Sequence, residues 1–211
     1  MSQPPGLIER YDFKERLCHW LTGFSYLYCL ATGLAFYSPY LFWLAIALGG
    51  GPASRFWHPF IGLLFFIAAM WMHHIWRGSM ELTDADRVWL AKAGDYATNH
   101  DDRLPAAGRF NAGQKVFYWA MFYGAFLLIL SGGFMWFPER IPYGLGSIRP
   151  IVVFVHEGAA LITIGAFIIH IYMGLFMVPG SLTAMVQGWV TKDWARTHHG
   201  LWYARMTGQG K

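Results

Sequence analysis

Only two cysteines occur in 211 residues, Cys18 and Cys29, and neither belongs to a CxxC or CxxCH run. That excludes a zinc ribbon, a cysteine-ligated iron–sulfur cluster within the chain, and ordinary covalent attachment of a c-type haem. Both cysteines fall in an apolar segment and read as small core residues. Charge is also scarce: 13% of residues are charged against 55% hydrophobic, with a mean hydropathy of +0.32. A soluble domain is rarely so apolar. The net charge of +4 is not gathered on one polar face but flanks the apolar runs, which sets nucleic-acid binding aside. The first apolar segment is too long for a signal-peptide core, so it reads as an uncleaved helix. There is no internal repeat, no low-complexity tract and no second domain, and residues 1–211 read as one domain.

What the chain does have is apolar length. A bilayer core needs about 20 apolar residues per helix. Four segments supply them, at about 17–37, 56–76, 116–137 and 151–178. The last is longer than a bilayer demands and is expected to tilt or protrude. A shorter apolar piece from Tyr40 is expected on the membrane surface or packed on the bundle. Residues 77–115 form the most charged stretch, expected as a polar loop with a short helix around Arg87 to Lys92, and residues 187–211 a polar, aromatic tail. Trp, Tyr and Phe reach 18%, which suits aromatic belts at two interfaces. The expected fold is all-α, an integral membrane four-helix bundle.

Lys and Arg counts orient it. Arg10, Lys14 and Arg16 precede the first span; Arg77, Arg87, Lys92, Arg103, Arg109 and Lys115 lie between the second and third; Lys192, Arg196, Arg205 and Lys211 lie in the tail. The other side has only Arg55, Arg140 and Arg149. Both termini are therefore expected in the cytoplasm.

His156 and His170 stand in one apolar stretch, VHEGAALITIGAFIIHIYMG. An imidazole in hydrocarbon is costly without a partner. Their separation of fourteen residues rises roughly 21 Å and turns to within about 40° of whole turns, so they point the same way at opposite ends of one span. By depth, His58 opens the second span on the outer side and His19 opens the first on the cytoplasmic side. Depth therefore pairs His58 with His156 and His19 with His170. Two bis-histidine sites, one above the other, are the layout for two b-type haems in a bundle, since neutral imidazole is a good axial ligand.

Glycine four residues after a ligand leaves room for a flat porphyrin on the same helix face. Gly23, Gly62 and Gly174 follow His19, His58 and His170 in this way, and Ala160 follows His156. Close helix packing through small residues is the competing explanation. For the histidines the alternatives are interhelical hydrogen bonding, and a metal without porphyrin, for which the two sites lie too far apart to pool ligands. His73 or His74 competes with His19 as inner ligand, and His198 and His199 read as surface or subunit-contact residues. Arg55 and Arg149, just outside the outer pair, suit haem propionates, or are interfacial arginines snorkelling to water. Glu157 is an intramembrane carboxylate that could transfer protons, meet another subunit or face the headgroups.

The runs LCHW, HPFIG, FNAGQK, HIYMG and GWVTKDWARTHH occur in order along nearly the whole chain. In these the sequence resembles the membrane cytochrome b (gamma) subunit of respiratory formate dehydrogenase, FNAGQK and the tail being the most specific parts. The resemblance implies a diheme membrane anchor with two haems b and a quinone, menaquinone or ubiquinone. It implies His58 and His156 as ligands of the outer haem iron, and His19 and His170 of the inner. The quinone motif falls on Asn111, Gly113 and Gln114. Their chemistry fits: Asn and Gln both donate and accept, and glycine lets a ring come close. A polar helix start with Asn111 as N-cap is the other reading of the motif.

Further implied are an iron–sulfur beta subunit as electron donor, a molybdenum- or tungsten-containing alpha subunit, and a higher oligomer of the heterotrimer. The setting implied is the bacterial inner membrane in anaerobic respiration. The tail lacks the proline expected after its His-His pair, and WFPER replaces a more basic stretch; these bear on subunit contacts rather than on the haems. The expected function is electron transport from the iron–sulfur subunit across the membrane to quinone near the cytoplasmic side. The rivals are the same module serving a membrane hydrogenase or related reductase, a stand-alone b-type cytochrome, and a haem-free scaffold or transporter.

Overall fold

A computed structural model describes residues 6–98, 100 and 103–208, without the side chains of residues 143 and 145. Lys211, counted above with the tail, lies outside the described residues. The chain divides into two compact units. The helical unit holds Leu17–His74 and Ala120–Ala166; the loop-and-tail unit holds Met1–Arg16, Ile75–Trp119 and Phe167–Lys211.

Four long helices carry the architecture: α1 (Phe13–Tyr37), α3 (Gly51–Trp76), α6 (Ala112–Trp136) and α7 (Arg149–Tyr172). Among the described residues, three stretches are long and apolar enough to cross a membrane: Gly51–Ser79, Ala112–Trp136 and Gly146–Met177. These coincide with three of the four expected spans. Helix α1 has the length, at 25 residues, but its Thr22, Ser25, Tyr26, Tyr28 and Thr32 dilute its apolar character. The apolar piece after Tyr37 becomes a 3₁₀ turn, Pro39–Leu41, and a short α2, Trp43–Ala47.

In the helical unit, small residues and thiols let helices meet. The Cys18 thiol donates to the Ala68 carbonyl at 3.4 Å, and Cys29 to the His58 carbonyl at 3.7 Å, joining α1 to α3. Gly62 faces the Cys29 sulfur, where an added Cβ would lie 3.9 Å away. Gly124 on α6 is required by the side chain of Thr163 on α7, which would collide with any Cβ there. Such close approach through small residues is how helices associate where lipid removes the hydrophobic drive.

The loop-and-tail unit is organised by polar caps instead. Asp12 and Glu15 form a reciprocal box at the start of α1, with each side chain accepting the other's backbone N–H at 2.8 and 3.0 Å. Thr83 and Asp86 do the same for α4 (Asp84–Ala91), which places this helix three residues ahead of the expected position. Asn111 and Gln114 do it for α6, at 2.9 and 3.0 Å. Each cap satisfies orphan N–H groups and contributes about 0.5–2 kcal/mol.

Helix α5 (Ala93–Ala97) follows α4. After α7 the chain continues as a π-helical turn, Met173–Met177, then α8 (Ser181–Gln187), α9 (Lys192–His198) and α10 (Gly200–Met206). The helix thus stops short of Val178, ahead of Pro179 and a left-handed Gly180 at φ 93°. A two-stranded antiparallel ribbon, absent from the sequence expectation, pairs β1 (Leu7–Glu9) with β2 (Trp189–Thr191). Three residues on each side carry too little pattern to be read locally.

Candidate functional site

The helical unit brings His58 and His156 face to face. Their ring centroids lie 6.4 Å apart with the planes at 60°. Two imidazoles gripping one metal from opposite sides set their centroids about 6 Å apart, from two metal–nitrogen bonds of about 2 Å and the ring radii.

Both rings are held in the same manner. His58 Nδ1 meets Thr32 Oγ1 at 2.7 Å, and His156 Nδ1 meets Ser131 Oγ at 2.9 Å. Each hydroxyl has one proton, and each already donates it along its own helix: Thr32 to the Tyr28 carbonyl at 2.8 Å, Ser131 to the Leu127 carbonyl at 2.5 Å. The oxygens are left as acceptors, so each imidazole carries its proton on Nδ1 and its lone pair on Nε2. That is the tautomer a metal ligand needs, and a hydrogen bond to the other nitrogen is the usual device for fixing it.

A glycine lies against each ring, tightly only at His156. A Cβ on Gly132 would stand 3.3 Å from His156 Cε1, and one on Gly33 would stand 3.7 Å from His58 Cε1. These are not the glycines expected from the same-face rule. Gly62 is spent on packing against Cys29, while Gly23 and Gly174 have no neighbour within 4 Å of an added Cβ. That open space is compatible with the porphyrin clearance expected beside Gly23 and Gly174. Thr32 and Gly33 on α1, His58 on α3, Ser131 and Gly132 on α6, and His156 on α7 thus form one site from four helices. The pair Thr32–Gly33 and the pair Ser131–Gly132 escaped the sequence reading. Their signal, a hydroxyl followed by glycine on each of two helices, gains meaning only once the histidines they serve are known.

The remaining expected ligands are each described in their own unit. His19, in the helical unit, sits edge-on to Trp20 with centroids 5.3 Å apart. His170, in the loop-and-tail unit, stacks on Phe117 at 4.4 Å with the planes 6° apart. Phe117 is one helical turn from Gly113 and Gln114, so His170 lies close along α6 to the expected quinone motif. His73 stacks on Phe122 at 4.3 Å, and His74 is exposed.

Asn111 and Gln114 form the α6 cap, as the N-cap reading has it; Asn111 is 4% exposed and donates through Nδ2 to the Tyr96 hydroxyl at 3.3 Å. The Trp89 ring lies over Gly113, where a Cβ would come within 3.2 Å. Beneath this, Lys115 joins Asp86 at 2.7 Å and the Glu81 carbonyl at 2.9 Å. Burial acts to raise the Asp86 carboxyl, but the Lys115 ammonium and the Thr83 hydrogen bonds outweigh it and hold it below the usual range. Arg55 and Arg149 are exposed, and Arg149 and Glu157 line one open groove of about 550 Å³ with Val153 and Phe154.

One expectation is overturned. His199 is not a surface residue: it is 2% exposed. Its Nδ1 donates to the Gly108 carbonyl at 2.9 Å, and its Nε2 faces the Arg10 guanidinium at 3.4 Å. Arginine stays charged and can only donate, which fixes that tautomer. Burial, reinforced by the Arg10 charge, pushes the His199 imidazole well below its ordinary range. Arg10 is itself buried, also donates to the Arg109 carbonyl, and lies over the Trp202 ring at 4.7 Å. A run of two tail histidines looks polar in sequence, and only the partner 91 residues away shows why one of them is inside.

The family described as prokaryotic cytochrome b561 matches residues 10–188. The chain belongs to that family. Membership implies b-type haem and a membrane setting, and the donor set of this cytochrome fits such a group: two opposed imidazoles with Nε2 lone pairs. Among relatives, the cytochrome b556(fdo) subunit of formate dehydrogenase from Escherichia coli strain K12 is 35% identical over 201 residues, 94% of this chain and 93% of its own. The cytochrome b556(Fdn) subunit of the nitrate-inducible formate dehydrogenase of the same strain is 32% identical over 206 residues, 95% and 92%. The formate dehydrogenase cytochrome b556 subunit of Haemophilus influenzae is 29% identical over 196 residues, covering 93% of this chain and 82% of its own.

Proposed function

We propose that the chain is the diheme cytochrome b subunit of a formate dehydrogenase, carrying electrons from an iron–sulfur subunit across the membrane to a quinone on the cytoplasmic side. The observation that carries this reading is the opposed His58–His156 pair, each Nδ1–H tied to a hydroxyl that can only accept. Bound b-type haem supplies one-electron transfer between donor and acceptor. The residues do the rest. His58 and His156 would hold the outer haem iron, and His19 and His170 the inner one. Arg55 and Arg149 stand ready for the outer propionates.

At the cytoplasmic end, Asn111, Gly113 and Gln114 would bind the quinone. The cap occupies both carbonyl oxygens, so Gln114 Nε2 is the amide group left to face a carbonyl, beside the Trp89 ring packed on Gly113. The His170–Phe117 stack brings the inner ligand to the same stretch of α6. Four spans, with both termini cytoplasmic, would put the Lys- and Arg-rich loop and tail on the inner face.

The test is native purification from membranes. The expected result is two b haems per chain by pyridine haemochrome, with a molybdenum- or tungsten-containing formate dehydrogenase and an iron–sulfur subunit in the preparation. A hydrogenase in their place would reassign the partner, and absence of b-type bands would remove the cytochrome reading. Substituting Gln114→Ala should weaken binding of a quinone analogue; unchanged affinity and unchanged quinone reduction would remove the quinone assignment.

A further inference from the structure

The two most distinctive sequence runs, around Asn111 and around Arg196–His198, are 85 residues apart and line one cavity. It has a volume of about 140 Å³ and lies wholly in the loop-and-tail unit. Trp89, Tyr96 and Asn111 form one side, and Arg196, Thr197 and His198 the other. The tail is stitched in place beside it: His199 bonds the Gly108 carbonyl, and the Leu201 N–H donates to the Ala107 carbonyl at 3.0 Å. The Tyr96 ring packs on Trp89 at 5.0 Å, and its hydroxyl accepts from Asn111.

Polar groups stand at both the exposed and the buried parts of this lining, with Leu104, Pro105, Ala106 and Ala107 also in it. Arg196 and Thr197 are exposed, His198 is half-buried, and the Tyr96 hydroxyl and the buried Asn111 amide lie at the inner end. At about 30 Å³ per water, the volume holds roughly four waters, and polar walls are what ordered waters require. Reducing a quinone to a quinol takes two electrons and two protons, one proton added to each carbonyl oxygen, with no other product. The electrons come from formate oxidised by the partner, and the protons come from the cytoplasm. A histidine-bearing cavity with room for water that reaches Asn111 would supply what the electron path does not.

We infer that this cavity is the proton inlet of the quinone site, with His198 passing protons inward and the Tyr96–Asn111 hydrogen bond as its inner end. The inference rests on the quinone reading of Asn111. His198 relays protons and does not itself bind the ring.

The experiment uses the intact formate dehydrogenase complex with a soluble quinone analogue as acceptor. Replacing His198→Ala should slow quinone reduction at saturating acceptor by about tenfold to a hundredfold. Millimolar imidazole should restore the rate, while haem reduction by formate and the binding of a quinone-site inhibitor stay unchanged. His198→Ser also leaves room for an imidazole and should show the same loss and the same rescue if His198→Ala does not assemble. Filling the cavity with Ala107→Phe should slow the rate without rescue. An unchanged rate, or a loss that imidazole does not restore in either His198 variant, overturns the inlet. If the His198 and Ala107 variants expel the inhibitor, the cavity holds the ring itself and the inlet is overturned in favour of a binding role. If Asn111→Ala leaves inhibitor affinity and quinone reduction unchanged, the quinone reading falls and the inlet with it; an Asn111 effect with silent His198 variants removes the inlet alone.

Discussion

The helical unit and the loop-and-tail unit solve the same problem, the burial of polar groups, by opposite means. In the helical unit the buried polar atoms are neutral: hydroxyls bond their own helix's carbonyls, while imidazole-to-hydroxyl and thiol-to-carbonyl bonds join one helix to another. In the loop-and-tail unit charged groups are buried as well, Arg10, Glu15, Asp86 and Lys115 beside the neutral Asn111 and His199, and the five ion pairs described all lie there. Glu15 illustrates the charged solution. It is 5% exposed and takes Arg109, the Trp76 indole at 2.6 Å and the Asp12 N–H. A charge is tolerable where partners and nearby water share its field and is prohibitive in hydrocarbon. Neutral imidazoles are also what a haem iron requires, so the constraint imposed by lipid and the chemistry of the site point the same way.

The sharpest way to break this comparison is to remove an imidazole. His58→Ala or His156→Ala should abolish one low-spin b-type centre and leave the other, read by optical and EPR spectra of the purified chain. Retention of both centres in either variant would mean that the opposed pair does not hold iron.

The next effect concerns the buried charges of the loop-and-tail unit. Lys115 and Asp86 side chains are each only 10% exposed. Asp86→Asn or Lys115→Met leaves one charge buried without its partner and should cost about 3–5 kcal/mol, seen as a lower midpoint in a denaturant titration in detergent. The native Asp86 carboxyl is depressed, so its contribution is present above the unfolded carboxyl range, about pH 4, and is lost as pH falls through the native value.

A smaller effect concerns the neutral hydrogen bonds of the helical unit. Ser131→Ala or Thr32→Ala removes the acceptor for one imidazole N–H, leaving the ligand in place. Outer partners of this kind are worth about 10–100-fold in metal affinity. The expectation is weaker haem retention at the outer site and a raised midpoint potential for that haem alone, because the ligand becomes a poorer electron donor. A shift in both haems, or in neither, would separate the hydroxyls from the site.

The smallest effect is graded with pH. His199 is neutral when folded and its native value lies well below the ordinary one. The unfolded imidazole protonates first, so stability is full above about pH 6.5 and declines below it by up to about 1.4 kcal/mol per pH unit. In His199→Gln that segment of the pH profile should flatten; an unaltered slope would show that another group titrates there.

Much of this was open to reading along the chain. Three apolar runs became long helices at nearly the expected bounds, because apolar length needs no partner to be recognised. His58 and His156 were matched by depth along their helices, and the structure sets them 6.4 Å apart. The cap at Asn111 followed from residue type and spacing alone. The failures share a cause. The β1–β2 ribbon and the burial of His199 both depend on residues distant in sequence.

Composition and periodicity determined that this chain is helical, membrane-bound and carries histidines within its apolar segments, since these are properties of each segment in its solvent. Which hydroxyl orients each imidazole, which glycine lies against it, and how the tail closes a cavity over Asn111 were decided only in three dimensions. A hydrogen bond or a close contact is a relation between two segments, and neither segment carries it alone.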